Sequence, residues 1–471
     1  MKKKYLIYIG LMVLILVTPL AGMAVRPTVA TTENKELSRF PSLHGENGWN
    51  QEFLSDLGNY FEEHFAFRQE LVSANAELRS KIVKTSPEEK VILGKNGWLY
   101  YSGTTGDYQG TSLLSERSLF NAAHNLAMMQ GMTEALGSRF YYTVSPNKNT
   151  LYDENMPYFY QKGKDSNLES LIPYLEEEGV HYIDVKSAFE QEDEVLYLKR
   201  DSHWNNKGAV LAYNTMLDTL GKEHEDYLNI PCVETDDYLG DLNTMLYPLT
   251  ARPEKNYEYQ KEQDYHILGE EKDVEADWIA AENQKKTGSV LMYRDSFGNT
   301  LFPLFANEFG RTYFSKLAPY SMSDIVKYKP DYVIVERVER RISSIIEQPP
   351  IMQGPTVKTG TPEAVETNTT IHTRKNGPYL MIEGIIDPKY LETRSRIYIA
   401  VHPTGVQSGQ SYEAFGTLME NEDGQLSDCG YQLYLMEKNV PEDTDYDIEV
   451  IVSGEQGMVT VQKKTFTQNK D

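Results

Sequence analysis

Two short segments of this chain carry residue types that could share one reaction. In the first, Asp201 precedes His203 by two positions and Trp204 follows directly. On a turn or extended segment, side chains at i and i+2 point to the same side, so a carboxylate there can orient an imidazole ring. This pair is the base half of a Ser-His-Asp site and still needs a nucleophile. A structural pair or two metal ligands are the alternatives, but the sequence shows no third ligand for a zinc site.

The second segment supplies a serine. An apolar run over residues 290–293 is followed by Arg294, Asp295 and Ser296, and then by a helical pattern. This order predicts a strand, a turn and a helix, with Ser296 on the turn beside the N–H groups of the helix start. In open α/β sheets, sites lie at such carboxyl ends of strands. Asp295 is adjacent to Ser296, and neighbouring side chains point apart, so we expect Asp201 to be the acid of the triad.

Helical and strand-like segments alternate around both motifs. Apolar periodicity predicts helices over residues 51–83, 113–136, 168–178 and 209–220, and buried strands over residues 140–144, 181–185, 290–293 and 331–335. Gly137 follows the second helix at the position where helices commonly end. This alternation predicts a mostly parallel sheet with helices on both sides.

The N-terminus carries a location signal. Three lysines at residues 2–4 precede an uncharged run over residues 5–25, long enough to cross a bilayer as a helix. The small residues near its end are also compatible with signal cleavage. We therefore expect residues 1–30 to be a single-pass signal anchor, or the signal of a secreted protein, followed by a helical extension over residues 31–87. Either way the basic start places the body of the protein outside the cytoplasm.

The rest of the chain divides by composition. We expect the catalytic domain over residues 88–346, interrupted by an acidic, tyrosine-rich insertion over residues 222–287 that has little apolar periodicity. Residues 347–362 are rich in Pro, Gly, Thr and Gln, which predicts a linker. Short β-like runs after it predict a small β-sandwich over residues 363–471. We expect the α/β part to fold without this β-region.

The net charge of the chain limits the classes of molecule that it can bind. The chain has 471 residues, with 46 Lys and Arg against 70 Asp and Glu, and a net charge of −24. This charge repels nucleic acid and anionic lipid, so we expect neither as a main partner. No cofactor and no metal are expected.

The two motifs together resemble the alginate O-acetyltransferase (AlgX/AlgJ-like, DHHW-type) branch of the SGNH hydrolase superfamily. Residues 37–41, 64–68, 97–100 and 145–148 also fit that pattern, and the resemblance covers roughly residues 37–345. The second residue of the family's motif is usually histidine, where this chain has Ser202. The C-terminal β-region shows no motif of the alginate enzyme's carbohydrate-binding module, which leaves alginate in doubt as the substrate.

The resemblance implies a flavodoxin-like three-layer α/β/α SGNH domain, with Ser296 as nucleophile, His203 as base and Asp201 as the residue that orients it. The Ser296 N–H is expected to form half of an oxyanion hole, and Asn147 or Lys148 the other half. The remaining candidates for substrate binding are Trp204, Arg294 and Tyr152.

The implied function is extracytoplasmic O-acetylation of a cell-surface polysaccharide, with a membrane O-acyltransferase partner as the acetyl donor because acetyl-CoA is cytoplasmic. Two alternatives stay open. A carbohydrate acetylesterase would share the acyl-serine intermediate and pass the acetyl group to water. A non-catalytic polysaccharide-binding or assembly protein would keep the fold alone.

Overall fold

The computed structural model describes residues 2–23, 37–45, 48–406, 409–421, 424–440, 444–455 and 457–467. Residues 24–36, where the predicted anchor ends and the predicted extension begins, lie outside the described residues. The N-terminal elements are α1 (Lys2–Met23), β1 (His44–Gly45), β2 (Gly48–Trp49), α2 (Phe53–His64) and α3 (Arg68–Leu78), which continues as a π-helical turn (Arg79–Val83).

Two of the sequence predictions concern these N-terminal helices. Helix α1 is long and apolar enough to cross a membrane, with a mean hydropathy of 2.3 over Lys3–Met23 and none of that window buried. The single helix predicted over residues 51–83 is instead divided, because Phe67 has a left-handed backbone (φ 64°) between α2 and α3.

The catalytic domain contains eleven strands and ten helices among its described residues. They are β3 (Val91–Leu93), β4 (Leu99–Tyr101), α4 (Thr105–Tyr108), α5 (Glu116–Ala135), β5 (Arg139–Ser145), α6 (Lys148–Leu151), α7 (Asn167–Glu177), β6 (Tyr182–Ile183), α8 (Val185–Glu190), α9 (Asn206–Leu220), β7 (Cys232–Tyr238), α10 (Asp241–Leu246), β8 (Glu254–Tyr259), β9 (His266–Leu268), β10 (Trp278–Glu282), β11 (Ser289–Tyr293), α11 (Gly298–Glu308), β12 (Arg311–Ser315), α12 (Ser323–Tyr328), β13 (Tyr332–Val338) and α13 (Ser344–Glu347). Short 3-10 helices lie at Lys95–Gly97, Ser102–Thr104, Asp153–Asn155, Tyr227–Asn229 and Glu339–Arg341.

A seven-stranded sheet forms the centre of this domain, in the order β6-β5-β13-β11-β12-β10-β9. The first five strands are parallel, and at one edge β10 pairs antiparallel with both β12 and β9. One apolar core joins the sheet to α8, α9 and α11, and a second joins it to α5, α7, α12 and α13 on the opposite face. The predicted three-layer α/β/α fold is therefore confirmed.

The predicted insertion needs a correction. Its last part, β9 and β10, extends the central sheet, whereas β7 and β8 form a separate hairpin. Strands β9 and β10 lie at the edge of the central sheet, and acidic residues surround them in the sequence. They therefore carry little of the apolar signal that identifies a central strand. Helix α10 also packs into the fold, with Leu242 and Leu246 buried against Val91 and Leu99.

The C-terminal region is built from strands. They are β14 (Thr356–Val357), β15 (Glu363–Ala364), β16 (His372–Asn376), β17 (Tyr379–Ile385), β18 (Arg396–Pro403), β19 (Gln410–Glu420), β20 (Leu426–Met436), β21 (Asp445–Gly454) and β22 (Gly457–Thr467), with 3-10 helices at Pro388–Tyr390 and Glu437–Asn439. Strand β19 pairs with β18 in its first half and with β20 in its second, so two antiparallel sheets share it and enclose one apolar core.

The β-region packs on the catalytic domain through α5. The buried Arg117 donates hydrogen bonds to the carbonyls of Glu392 (2.8 Å) and Asp428 (3.2 Å), and Phe415 of β19 lies in an apolar core of the α/β domain. Within the predicted linker, Met352 is buried and β14 pairs with β19. Part of the predicted linker is therefore packed against the α/β domain and paired with the β-region.

Candidate active site

The Asp201–His203 segment is a tight loop closed by a β-bridge between Tyr197 and Trp204. The loop is tied to α9, because Asn205 is the N-cap of that helix and accepts a hydrogen bond from the Gly208 N–H at 3.0 Å. A Cβ atom at Gly208 would lie 2.4 Å from the carbonyl oxygen of Leu196, so only glycine fits at this crossing. The glycine of the sequence motif thus keeps the loop close to its helix.

The serine turn lies between β11 and α11, at the carboxyl end of the sheet. The Asp295 carboxylate accepts hydrogen bonds from the N–H groups of Phe297 (2.9 Å) and Val338 (2.6 Å). Asp295 therefore braces the turn and is occupied by backbone donors, in agreement with the choice of Asp201 as triad acid. The side chain of Ser296 lies at the cleft, as predicted from the strand–turn–helix pattern.

The three predicted triad residues form one hydrogen-bonded chain. His203 Nδ1 lies 2.7 Å from Asp201 Oδ1, and His203 Nε2 lies 2.7 Å from Ser296 Oγ. An ionised carboxylate only accepts, so the Nδ1 atom carries the proton and the neutral Nε2 accepts the Ser296 hydroxyl proton. This is the arrangement in which an imidazole can deprotonate a serine.

The electrostatics of the pair fit this role. Burial alone would raise the pKa of Asp201, but the His203 imidazole and two backbone N–H donors lower it to about 2. Burial opposes the charged form of His203, yet the Asp201 carboxylate outweighs it and raises the pKa of the imidazole. Asp201 thus stays ionised, and its charge favours the protonated form of the His203 imidazole.

Asp241, which the sequence analysis did not select, is a second carboxylate beside the triad. Its N–H donates to Asp201 Oδ2 at 2.8 Å, and its carboxylate accepts from the N–H (2.8 Å) and the hydroxyl (2.5 Å) of Ser202. Asp201, His203 and Asp241 offer ligand atoms within 4.8 Å of one another, which a cation could use. However, backbone and hydroxyl donors already satisfy both carboxylates, and this favours a hydrogen-bonded network.

The two side chains predicted to form the second half of the oxyanion hole, Asn147 and Lys148, are both buried and make other contacts. Lys148 is buried, and its ammonium donates to the carbonyl oxygens of Leu198 and Lys199, each at 3.1 Å, and to that of Asp201. Burial lowers the pKa of Lys148 to about 8. Asn147 is likewise buried, and its N–H donates to the Glu339 carboxylate at 2.7 Å. The short helix α6 turns both side chains into the protein, and neither lines the cleft beside Ser296.

The other three substrate-binding candidates divide in the same way. The Tyr152 hydroxyl accepts a hydrogen bond from the Leu196 N–H at 2.8 Å and so holds the chain just before the Asp201–His203 loop. Arg294 is fully buried and donates to the carbonyls of Val274 and Ala276, so it fixes the serine turn and does not reach the cleft. Trp204 alone lines the cleft. Its indole N–H donates to Thr300 Oγ1 at 2.7 Å and ties the loop to α11.

The cleft over the triad has a volume of about 730 Å³, and its lining mixes polar and apolar side chains. Arg340, which follows β13, lines this cleft and was not selected from the sequence. Its guanidinium carbon lies 5.8 Å from the Phe297 ring centroid, and its positive charge acts against the protonation of His203. The Ser296 N–H, in turn, donates to no protein group in the part of the chain that the structure describes.

The fold and the site define the chain's central region as an SGNH hydrolase-like domain. Residues 91–287 match the family model described as "SGNH hydrolase-like domain, acetyltransferase AlgX", which confirms the resemblance to the AlgX/AlgJ-like branch and supports an O-acetyltransferase enzyme. The matched segment contains Asp201 and His203 and ends before Ser296.

Several solved structures are similar to this chain. PatB1 from Bacillus cereus, solved with a sulfonyl adduct, is 16% identical with a TM-score of 0.44, and the match covers 54% of this chain and 95% of that one. AlgX from Pseudomonas aeruginosa is 14% identical with a TM-score of 0.36, covering 80% and 94%. The O-acetyltransferase domain of Pseudomonas putida AlgJ is 15% identical with a TM-score of 0.36, covering 54% and 91%. No curated protein sequence matches.

Proposed function

We propose that this chain is an extracytoplasmic O-acetyltransferase that transfers acetyl groups to hydroxyls of a cell-surface polysaccharide through an acyl-serine intermediate. The observation that carries the proposal is the hydrogen-bonded chain Asp201–His203–Ser296 at the cleft, with 2.7 Å at both links. The AlgX-type family match over residues 91–287 supports acetyl transfer as the reaction. The apolar helix α1, as an N-terminal anchor, supports the location.

In the first half of the reaction, Ser296 Oγ attacks the carbonyl carbon of the acetyl donor while its proton passes to His203 Nε2. The Ser296 N–H and the Arg340 guanidinium are the donors we assign to the developing oxyanion. This replaces the predicted Asn147 or Lys148 donor, because both of those side chains are buried away from the cleft. The imidazolium then protonates the leaving group, and the acetyl group remains on Ser296.

In the second half, an acceptor hydroxyl enters the cleft and gives its proton to His203 Nε2. Its oxygen attacks the acetyl-serine, and the imidazolium returns the proton to Ser296 Oγ as the new ester leaves. A water molecule in the acceptor position would give the acetylesterase reaction with the same residues. Because acetyl-CoA is cytoplasmic, an extracytoplasmic domain needs a donor that carries acetyl groups across the membrane, and a membrane O-acyltransferase is the partner we propose.

The test is release of acetyl groups from a chromogenic acetyl ester, followed by transfer to purified cell-surface glycan. Ser296→Ala and His203→Ala should each lower kcat/KM by about 10³-fold or more, and the double variant should be little worse because the residues act as one unit. Asp201→Asn should cost less than either. Ser145→Ala is the matched control, since Ser145 also ends a strand of this sheet but is buried and donates to Glu336 at 2.6 Å. Loss of activity in the control with retention in Ser296→Ala would move the nucleophile to the other strand.

A further inference from the structure

An apolar stripe that stays exposed among the described residues runs along α3 and the π-turn that follows it. Leu71, Leu78 and Ile82 are 53%, 57% and 72% exposed, and their spacing of seven and four residues places them on one helix face. The opposite face is packed, because Ser73 and Ala76 are buried, the latter against Val91, Leu99 and the leucines of α10. The helix is thus held to the catalytic domain by one side and presents the other to its surroundings.

Basic residues accompany this stripe. Residues 79–84 contain Arg79, Lys81 and Lys84 and no acidic residue, in a chain whose net charge is −24. Arg79 and Lys81 follow Leu78 by one and three positions, which places them on the two flanks of the stripe; Lys81 also forms an ion pair with the Glu77 carboxylate. Long cationic side chains beside an apolar face are typical of helices that lie in the plane of a membrane interface, with the charges reaching the headgroups.

The position of α3 also points to a membrane. The Ala66 N–H donates to the Pro19 carbonyl at 3.3 Å, and a Cβ at Gly22 would lie 2.5 Å from that of Ala66. The end of α1 is therefore packed against the turn that opens α3. In the same N-terminal region Trp49 is 74% exposed and Leu54 is 80% exposed. Exposed tryptophan is enriched where membrane proteins meet the headgroups.

We propose that α3 lies in the membrane interface beside the anchor, with Leu71, Leu78 and Ile82 inserted at the boundary between headgroups and acyl chains. The inference rests on the proposed anchoring by α1. It gives α3 a role in orienting the enzyme, because its buried face packs against α10, whose first residue, Asp241, contacts the triad acid. An in-plane helix of this kind fixes the direction of the catalytic cleft relative to the membrane. The net charge of the whole chain does not oppose this, since the contacting segment is locally basic.

The test uses nitroxide labels on the full chain reconstituted in vesicles of zwitterionic lipid with a minor anionic fraction. The exposed Cys232 is first replaced by serine, while Cys429 is buried. A label at Leu78→Cys should be severalfold more accessible to oxygen, which partitions into the bilayer, than to a water-soluble nickel complex. A label at Tyr158→Cys, an 86% exposed aromatic position of the catalytic domain, should show the reverse preference.

A third label, Val13→Cys within α1, distinguishes a failure of the proposed interfacial position of α3 from a failure of the proposed anchor. Preference for the nickel complex at residue 78 with a bilayer signal at residue 13 would overturn the inference and leave the anchor intact. Preference for the nickel complex at both positions would overturn the anchor and the inference together. Dipolar broadening between labels at residue 78 with low access to both reagents would show that a second copy covers the stripe, which also overturns the proposal.

Discussion

The contact between the catalytic domain and the β-region depends on a buried histidine held between two carboxylates. His124 of α5 lies 2.7 Å from Glu178 Oε2 through Nδ1 and 2.9 Å from Glu413 Oε1 through Nε2, and all three side chains are about nine-tenths buried. Both carboxylates accept hydrogen bonds, so both ring nitrogens donate only in the imidazolium form. Burial alone would lower the pKa of His124, but the two carboxylates raise it above its ordinary value.

The perturbation is His124→Phe, which keeps a planar ring and leaves two buried carboxylates facing each other. Two charge-assisted hydrogen bonds contribute about 1.5–3 kcal/mol each, and removing one partner of a buried ion pair costs about 3–5 kcal/mol. We therefore expect the free energy of unfolding of the full chain to fall by about 3–5 kcal/mol at pH 6. Adding Glu178→Gln and Glu413→Gln should restore part of it, because the unpaired charges are removed. Arg396, 3.7 Å from Glu178 Oε1, remains beside that carboxylate in every variant.

The pH dependence gives the sharper test. Because the folded-state pKa of His124 is raised above its unfolded value, its contribution is fully present below the unfolded pKa and is lost as the pH rises through the folded pKa. Unfolding by urea, followed by fluorescence in detergent at pH 6 to pH 10, should therefore show the wild type approaching the variant at high pH. His181→Phe is the control, since that ring is half exposed. Equal stability of wild type and His124→Phe at pH 6, or a difference that does not change with pH, would refute the reasoning.

Three further predictions concern the candidate active site and the boundary with the β-region. Asp241→Asn removes a negative charge that raises the pKa of His203, so the acid limb of the pH profile for ester hydrolysis should move to lower pH, and an unmoved limb would exclude this coupling. Lys148→Met leaves the buried carbonyls of Leu198 and Asp201 without this donor at about 1–3 kcal/mol each, whereas the Lys199 carbonyl keeps the Leu99 N–H; urea unfolding should therefore show a loss of a few kcal/mol together with lost esterase activity, and Lys316→Met should keep its stability. A chain ending at Glu347 exposes the apolar surface that Phe415 covers, leaves Arg117 without its carbonyl acceptors and leaves His124 with Glu178 but without Glu413, so its midpoint of thermal unfolding should fall; an unchanged midpoint would show that the β-region is an independent attachment.

The sequence predicted the triad because each half of it is a local pattern. Asp201 and His203 are two residues apart on one loop, and Ser296 follows a buried strand directly, while the family resemblance supplied the pairing of the two segments across 93 residues. The same holds for the central strands, whose continuous apolar runs stand out, and for the helix that ends before Gly137, which has the expected left-handed backbone (φ 89°).

The residues missed or misassigned depend on contacts far apart in the chain. Asp241 reaches the triad from the segment interpreted as an insertion, and Arg340 enters the cleft from the end of β13. Asn147 and Lys148 do follow the end of a central strand, as expected, but α6 turns them inward, where Lys148 binds carbonyls 50 to 53 residues away. Arg294 precedes Ser296 by two residues in sequence, yet its guanidinium is fixed to the segment before β10. The spacing of apolar residues in the sequence does not predict these side-chain contacts.

The assignment of Ser296 as the nucleophile is tested most directly by covalent labelling. A sulfonyl fluoride reacts with a serine whose proton is taken by a neighbouring base, so the full chain treated with phenylmethanesulfonyl fluoride should gain one sulfonyl group and lose esterase activity in parallel. Peptide mass spectrometry should place the group on Ser296, with no adduct in Ser296→Ala and greatly slowed labelling in His203→Ala. Inactivation with the adduct on another residue, or full ester turnover by Ser296→Ala, would contradict the account.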